Sequence, residues 1–222
     1  MHRAGRRYYP KLQIAAPFTP ANGPRLLLSD TALAQHLLKG AEVVCEQNGL
    51  SSAHATFIEP DQVPLFEVAG WLMRSDIQFH WLNRNYHSFD DFLDALASRK
   101  RKNLRKERAR AIENDITIHW LTGDDIRPEH WDAFWIFYQD TGARKWGTPY
   151  LTRAFFEEAQ ETLRDDILLL MAWRDGRWVA GALNFIGSQA LFGRYWGCIE
   201  HHPCAINCNG NRRYERLRWH RF

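Results

Sequence analysis

Ile167-Leu-Leu-Leu-Met-Ala-Trp-Arg-Asp-Gly-Arg177, running on through Trp178-Val-Ala-Gly-Ala-Leu-Asn-Phe-Ile186, Gly187-Ser-Gln-Ala190 and Leu191-Phe-Gly-Arg-Tyr-Trp196, decides the fold. Three apolar runs, each long enough for a strand, are separated by two short breaks. Asp175-Gly176 favours the positive φ angles of a two-residue hairpin turn, and Gly187-Ser-Gln is a second turn signal. The reading is a three-stranded antiparallel meander over residues 167–173, 178–186 and 190–196.

Working outward, residues 153–163 carry a helical pattern that Thr152 caps. Pro128 suits a helix first turn, and Trp131, Phe134, Trp135 and Tyr138 share one face of a helix reaching about Thr141. Residues 116–121 read as a strand. A long helix is predicted from Ser88 to about Asn114. Ser88 and Asp91 resemble a capping box there, and Phe92, Leu93, Leu96, Leu104, Ala111 and Ile112 keep helical spacing. Further upstream are strands at 12–17, 53–58 and 77–82 and a short helix at 61–69. A longer helix follows Ser29 or Asp30 and stops at Asn48-Gly49, with Leu33, Leu37, Val44 and Cys45 on one face.

The fold class is α/β (α+β): a mixed sheet flanked by helices. The second half, β-α-α-β-β-β, resembles the opening order of a GNAT fold, and the first half, β-α-β-α-β, resembles its closing order. The expected organisation is two incomplete GNAT-like units. Residues 1–87 form the back part of one and 115–203 the front part of another. A basic bridging helix lies over 88–114, and 204–222 form an anomalous tail with few apolar residues and many Arg. That tail resembles an out-of-frame or truncated end more than a fold element.

Three blocks carry a family resemblance. They are Tyr8-Tyr-Pro-Lys-Leu-Gln-Ile-Ala-Ala-Pro-Phe-Thr-Pro-Ala-Asn-Gly-Pro-Arg-Leu-Leu27, Ser98-Arg-Lys-Arg-Lys-Asn-Leu-Arg-Lys-Glu-Arg108 and Gly193-Arg-Tyr-Trp-Gly-Cys-Ile-Glu-His-His-Pro203. Together they resemble the FemAB-like predicted N-acyltransferases, whose GNAT-like units occur in tandem. The resemblance implies transfer of an acyl or aminoacyl group to a small-molecule or peptide amine. The donor would be acyl-CoA or an aminoacyl-tRNA, with no metal. It also implies about a hundred further residues ahead of Tyr8 in family members.

Four features are candidates for chemistry. The loop 17–25 lies between a strand and a helix, where backbone N–H groups and a helix dipole suit a donor pyrophosphate. Asn22, Gly23 and Arg25 fit that role, although the prolines remove donors and a rigid turn is the plainer reading. From Arg99 to Arg110 there are eight Lys or Arg and one Glu. Lys100, Arg101, Lys102 and Arg105 are candidate contacts for donor phosphates or a tRNA backbone, with a solvated face as the alternative. Lys100 continues the apolar stripe between Leu96 and Leu104 and is expected to point inward or at a cleft. At the meander's end, Glu200, His201 or His202 would deprotonate the amine and Tyr195 would protonate the leaving group, with Arg194 and Trp196 beside the substrate. Lastly, residues 144–150 read as an acceptor-side loop carrying Trp146.

Composition limits other readings. Apolar residues make up 45% and there are ten Trp, so a core is available and disorder is disfavoured. A net charge of +3 does not by itself imply a nucleic-acid partner. No apolar run spans a membrane and the basic start lacks a leader's apolar region, so a cytoplasmic location is expected. Cys45 is isolated while Cys198, Cys204 and Cys208 crowd the end, which is no disulfide framework. With His201 and His202 those three sulfurs invite a zinc reading, but no second Cys/His pair exists elsewhere. Exposed apolar surface from missing elements would drive pairing of copies into a homo-oligomer.

Overall fold

The computed structural model describes residues 9–16, 19–77, 79–111, 115–144 and 149–200. The chain divides into two units, residues 1–81 and 82–222. Both mix helices and strands, as the α+β reading expects.

The first unit begins with β1 (Leu12–Ile14) and α1 (Ala34–Gln47), followed by β2 (Ala53–Ala55) and α2 (Val63–Val68). β1 and β2 pair in parallel with Leu12 opposite Ala53, so α1 is a crossover helix. Asp30 accepts from the Ala32 N–H and starts the 3-10 turn Thr31–Leu33 that leads into α1. At the other end Gly49, at φ 60°, lets the Leu50 N–H reach the Cys45 carbonyl and close the helix. The buried residues of α1 are Ala34, Leu38 and Cys45, and the first two cluster with Leu26 and Phe66. Of the expected face Cys45 is buried, while Leu33, Leu37 and Val44 are about half exposed. Ala34 is fully buried, so a small side chain takes the close approach and turns the leucines outward.

The predicted strand at 77–82 is absent. Its described residues form no ladder, and Ile77, Phe79 and Leu82 are exposed.

In the second unit the long basic helix is broken into α3 (Phe89–Asp94) and α4 (Ser98–Ala111). The capping box at Ser88 and Asp91 forms as expected. The break comes from Arg101, whose guanidinium donates to the carbonyls of Asp94 and Leu96 and pairs with the Asp94 carboxylate at 3.0 Å. It thus satisfies carbonyls that the end of α3 leaves open. Arg105 lies 3.7 Å from Asp90, and Arg108 sits over the Phe89 ring at 4.1 Å. These pairs run in opposite directions along the two helices, so α4 folds back antiparallel on α3.

The rest of this unit follows the predicted order: β3 (Thr117–Leu121), α5 (Pro128–Arg144), α6 (Arg153–Leu163), β4 (Ile167–Arg174), β5 (Arg177–Ile186) and β6 (Leu191–Cys198). The four strands make an antiparallel sheet in the order β3-β4-β5-β6. Asp175 and Gly176 both have positive φ, which builds the tight β4–β5 turn. On one sheet face Ile167, Leu169, Met171 and Leu183 cluster with Trp131, Phe134, Phe137, Tyr138 and Phe156 from α5 and α6. Leu168, Leu170, Ala172, Ala180 and Ala182 form a second apolar cluster on the other face. Helix α5 lies directly on β6. A Cβ on Gly197 would come within 2.3 Å of the Phe137 carbonyl oxygen, so only glycine permits this approach.

Candidate functional site

β6 forms one edge of the sheet, and its pairing with β5 slips once. Leu183 faces Tyr195 while Asn184 faces Gly193, leaving Arg194 without a ladder partner. A bulge of this kind breaks the strict alternation of side chains and re-aims them. Its effect here is that Arg194 and Tyr195 serve the same neighbourhood. The Arg194 guanidinium lies 4.6 Å from the centre of the Tyr195 ring and donates to the Tyr150 hydroxyl oxygen at 2.8 Å. Tyr150 and Tyr195 hydroxyls are 2.5 Å apart. Helix α5 completes the support, with the Tyr138 ring edge-on to Tyr195 at 5.2 Å. Tyr138 also accepts from the Leu151 N–H, which ties the segment carrying Tyr150 to the same helix.

Burial, and next the bond to Tyr150, pushes the Tyr195 hydroxyl well above the ordinary tyrosine range, despite the opposing charge of Arg194. Tyr195 therefore keeps its proton at neutral pH and is a hydrogen-bond donor. The arrangement presents a guanidinium and two phenol groups held by a rigid sheet edge and helix. Such a set can stabilise an oxyanion or pass a proton; among the described residues it holds no carboxylate, thiolate or imidazole that would act as a base.

Glu200 has a different setting from the one expected. One carboxylate oxygen pairs with Arg174 and the other with Arg177 at 2.5 Å. The carboxylate is mostly buried and both its oxygens are already accepting, so it braces the β4–β5 turn against the end of β6 and is poorly placed to take a proton from an amine. Trp196 is also separated from the tyrosines. It lines an apolar dent with Ile116, Ala172, Val179, Cys198 and Glu200, on the sheet face away from Tyr195. His201, His202 and Trp146 lie outside the described residues, as do Cys204, Cys208 and the tail.

In the first unit Arg25 is buried, and its guanidinium donates to the carbonyls of Thr56 at 2.6 Å, Ala21 at 3.0 Å and Ala16 at 3.4 Å. The Gly23 N–H donates to Phe57. Gln62 clamps the next step, accepting from the N–H groups of Arg25 and Leu26 and donating to the Leu26 carbonyl. These donors are spent pinning the loop from within, the rigid-turn alternative; Asn22 remains exposed.

A family model described as FemAB-like, peptidoglycan biosynthesis/recognition, matches residues 1–206. The chain belongs to the FemAB-like family. No curated protein matches it. Among solved structures it is similar to the crystal structure of a functionally unknown conserved protein from Staphylococcus epidermidis ATCC 12228, at 16% identity and a TM-score of 0.35. The likeness covers 53% of this chain and 45% of that one, so the chain spans under half of that protein's length.

The basic run of this FemAB-like chain resolves into two faces. Arg101 and Arg105 are engaged by the carboxylates of α3. Lys100 is exposed, so of the two placements expected from the stripe the inward one is excluded. Arg99, Lys102, Lys106 and Arg110 share one helical face by their spacing, and all four are exposed. Among the described residues no helix is long and apolar enough to cross a membrane, and no His, Cys, Asp and Glu group could hold a metal ion.

Sequence reading singled out Arg194 and Tyr195 and the loop containing Tyr150, but placed its weight in that loop on Trp146. Tyr150 carried no distinguishing signal: it is one of seven tyrosines and lies 45 positions from its partner Tyr195.

Proposed function

We propose that the chain transfers an acyl or aminoacyl group to an amine acceptor in peptidoglycan-related chemistry. The observation that carries this is the Arg194–Tyr150–Tyr195 cluster at the sheet edge. Acyl transfer builds negative charge on the carbonyl oxygen and then on the leaving group. Guanidinium and phenol donors suit the first, and a proton held at Tyr195 suits the second. The acceptor is a small-molecule or peptide amine, with Arg194 on its side of the site and Trp146 as a further contact. Deprotonation of the amine falls to His201 or His202, or to solvent, since Glu200 is committed to two arginines. The donor is acyl-CoA or aminoacyl-tRNA. Its candidate contacts are the exposed Lys100 and Lys102 of α4 or, as a separate alternative within the first unit, the exposed Asn22.

The test offers labelled acyl-CoA and labelled aminoacyl-tRNA separately with a peptide amine and follows label in the peptide. Transfer from one donor is expected, and Tyr195→Phe should lower its rate by about 10²–10⁴-fold. No transfer from either donor would refute the proposal. A non-catalytic reading is favoured by one observation, the exposed row Arg99, Lys102, Lys106 and Arg110, which suits an RNA or another polyanion. Salt-dependent RNA retention without any transfer would select it.

A further inference from the structure

Charge accounting over the sheet unit singles out one residue. Seven arginines lie between residues 115 and 200. Six have carboxylate partners: Arg127 with Glu129, Arg144 with Asp140, Arg153 with Asp132 and Glu157, Arg164 with Asp124, and both Arg174 and Arg177 with Glu200. Arg194 has none among the described residues, although it is only partly exposed. It is nevertheless held in place. A bulge releases it from the ladder, the Tyr195 ring backs its cation, and the Tyr150 oxygen takes one N–H. Neither of those neighbours neutralises it.

A held, partly desolvated cation without a counter-charge costs stability unless something compensates it. A guanidinium also presents more donors than one phenol oxygen uses, in a planar fork that matches a two-oxygen anion. We infer that Arg194 is the recognition point for a carboxylate carried by the acceptor, which docks on the guanidinium fork at the β6 bulge with Tyr150 and Tyr195 holding the fork in place. One uncompensated positive charge matches the single charge of a carboxylate better than the greater charge of a phosphate monoester. The inference rests on the reading that this edge receives the acceptor, and it narrows the acceptor to molecules with a free carboxylate near the reacting amine.

The test is calorimetric titration of the full chain with glycylalanine, with glycylalanine amide and with inorganic phosphate. The free acid should bind about 10- to 100-fold more tightly than the amide, as loss of a charge-assisted pair implies. Arg194→Gln should abolish that difference. Arg194→Lys keeps the charge without the fork and should retain only part of it, and serves if the glutamine variant does not fold. Equal binding of acid and amide, a preference that persists in Arg194→Gln, tighter binding of phosphate, or no binding of the acid would each overturn the inference. Its fate is separable from that of the proposed activity. Transfer to acid and amide alike would sink the inference alone. An Arg194-dependent preference without transfer from either donor would sink the activity alone.

Discussion

Gly197→Ala should cost more than any other single methyl group added to the sheet. The new Cβ would stand 2.3 Å from the Phe137 carbonyl oxygen, 2.7 Å from the carbonyl carbon and 2.8 Å from the Thr141 hydroxyl. Ordinary carbon contacts lie near 3.5–4.0 Å, so strand and helix must separate by about 1 Å. The obstacle is helix backbone, which cannot rotate away as a side-chain tip would. The helix that must retreat carries Trp131, Phe134, Phe137 and Tyr138, all buried against the sheet or α6. Overpacking typically costs about 1–3 kcal/mol, and this case belongs at the upper end or beyond. In a domain of this size that is a fall in melting temperature of about 6–12 °C. Because Tyr138 rides on the same helix, the Tyr138–Tyr195 contact should loosen and the near-ultraviolet circular dichroism of the tyrosines should change. Thermal unfolding followed at both far- and near-ultraviolet wavelengths reads the two effects. A melting temperature within about 1 °C of the parent, with an unchanged aromatic spectrum, would mean that α5 does not rest on β6 as described.

Two more predictions follow from the same reasoning. Gly40 sits inside α1 with no atom near where a Cβ would be, so Gly40→Ala should stabilise the first unit by about 0.5–1 kcal/mol in chemical denaturation. His130 is buried and its Nδ1 accepts from the Arg127 N–H at 2.9 Å. Burial holds its pKa below the usual 6.5, so the unfolded chain takes up a proton first as the solution is acidified. This contribution is therefore complete above about pH 6.5 and is lost as pH falls further, and His130→Gln should flatten the decline in melting temperature between about pH 7 and 5.

Much of the fold was legible because it is written in local chemistry. The Asp175-Gly176 turn, the Ser88–Asp91 cap, Pro128 at a helix start and Gly49 at a helix end each act over a few neighbouring residues, and each lies where the pattern put it. The errors share a cause. The strand expected at 77–82 forms no ladder among the described residues, the face of α1 was set by how closely Ala34 could approach its neighbours, and the long basic helix was broken by Arg101 reaching back to α3. In each case the deciding interaction is with a residue outside the local window.

By itself the sequence determined the element order from β3 onward, the meander and its turns, since propensity, capping and hydrophobic periodicity are properties of consecutive residues. Only the tertiary structure decided what those segments do. It spent Arg25 and Gly23 on backbone carbonyls, clamped Glu200 between Arg174 and Arg177, sent Trp196 to the opposite face, and joined Tyr150 to Tyr195 and Arg194. A charged or polar group does chemistry only with whatever capacity its folded neighbours leave unused. Those neighbours are brought together by sheet register, a bulge and a helix crossing, which no spacing along the chain encodes.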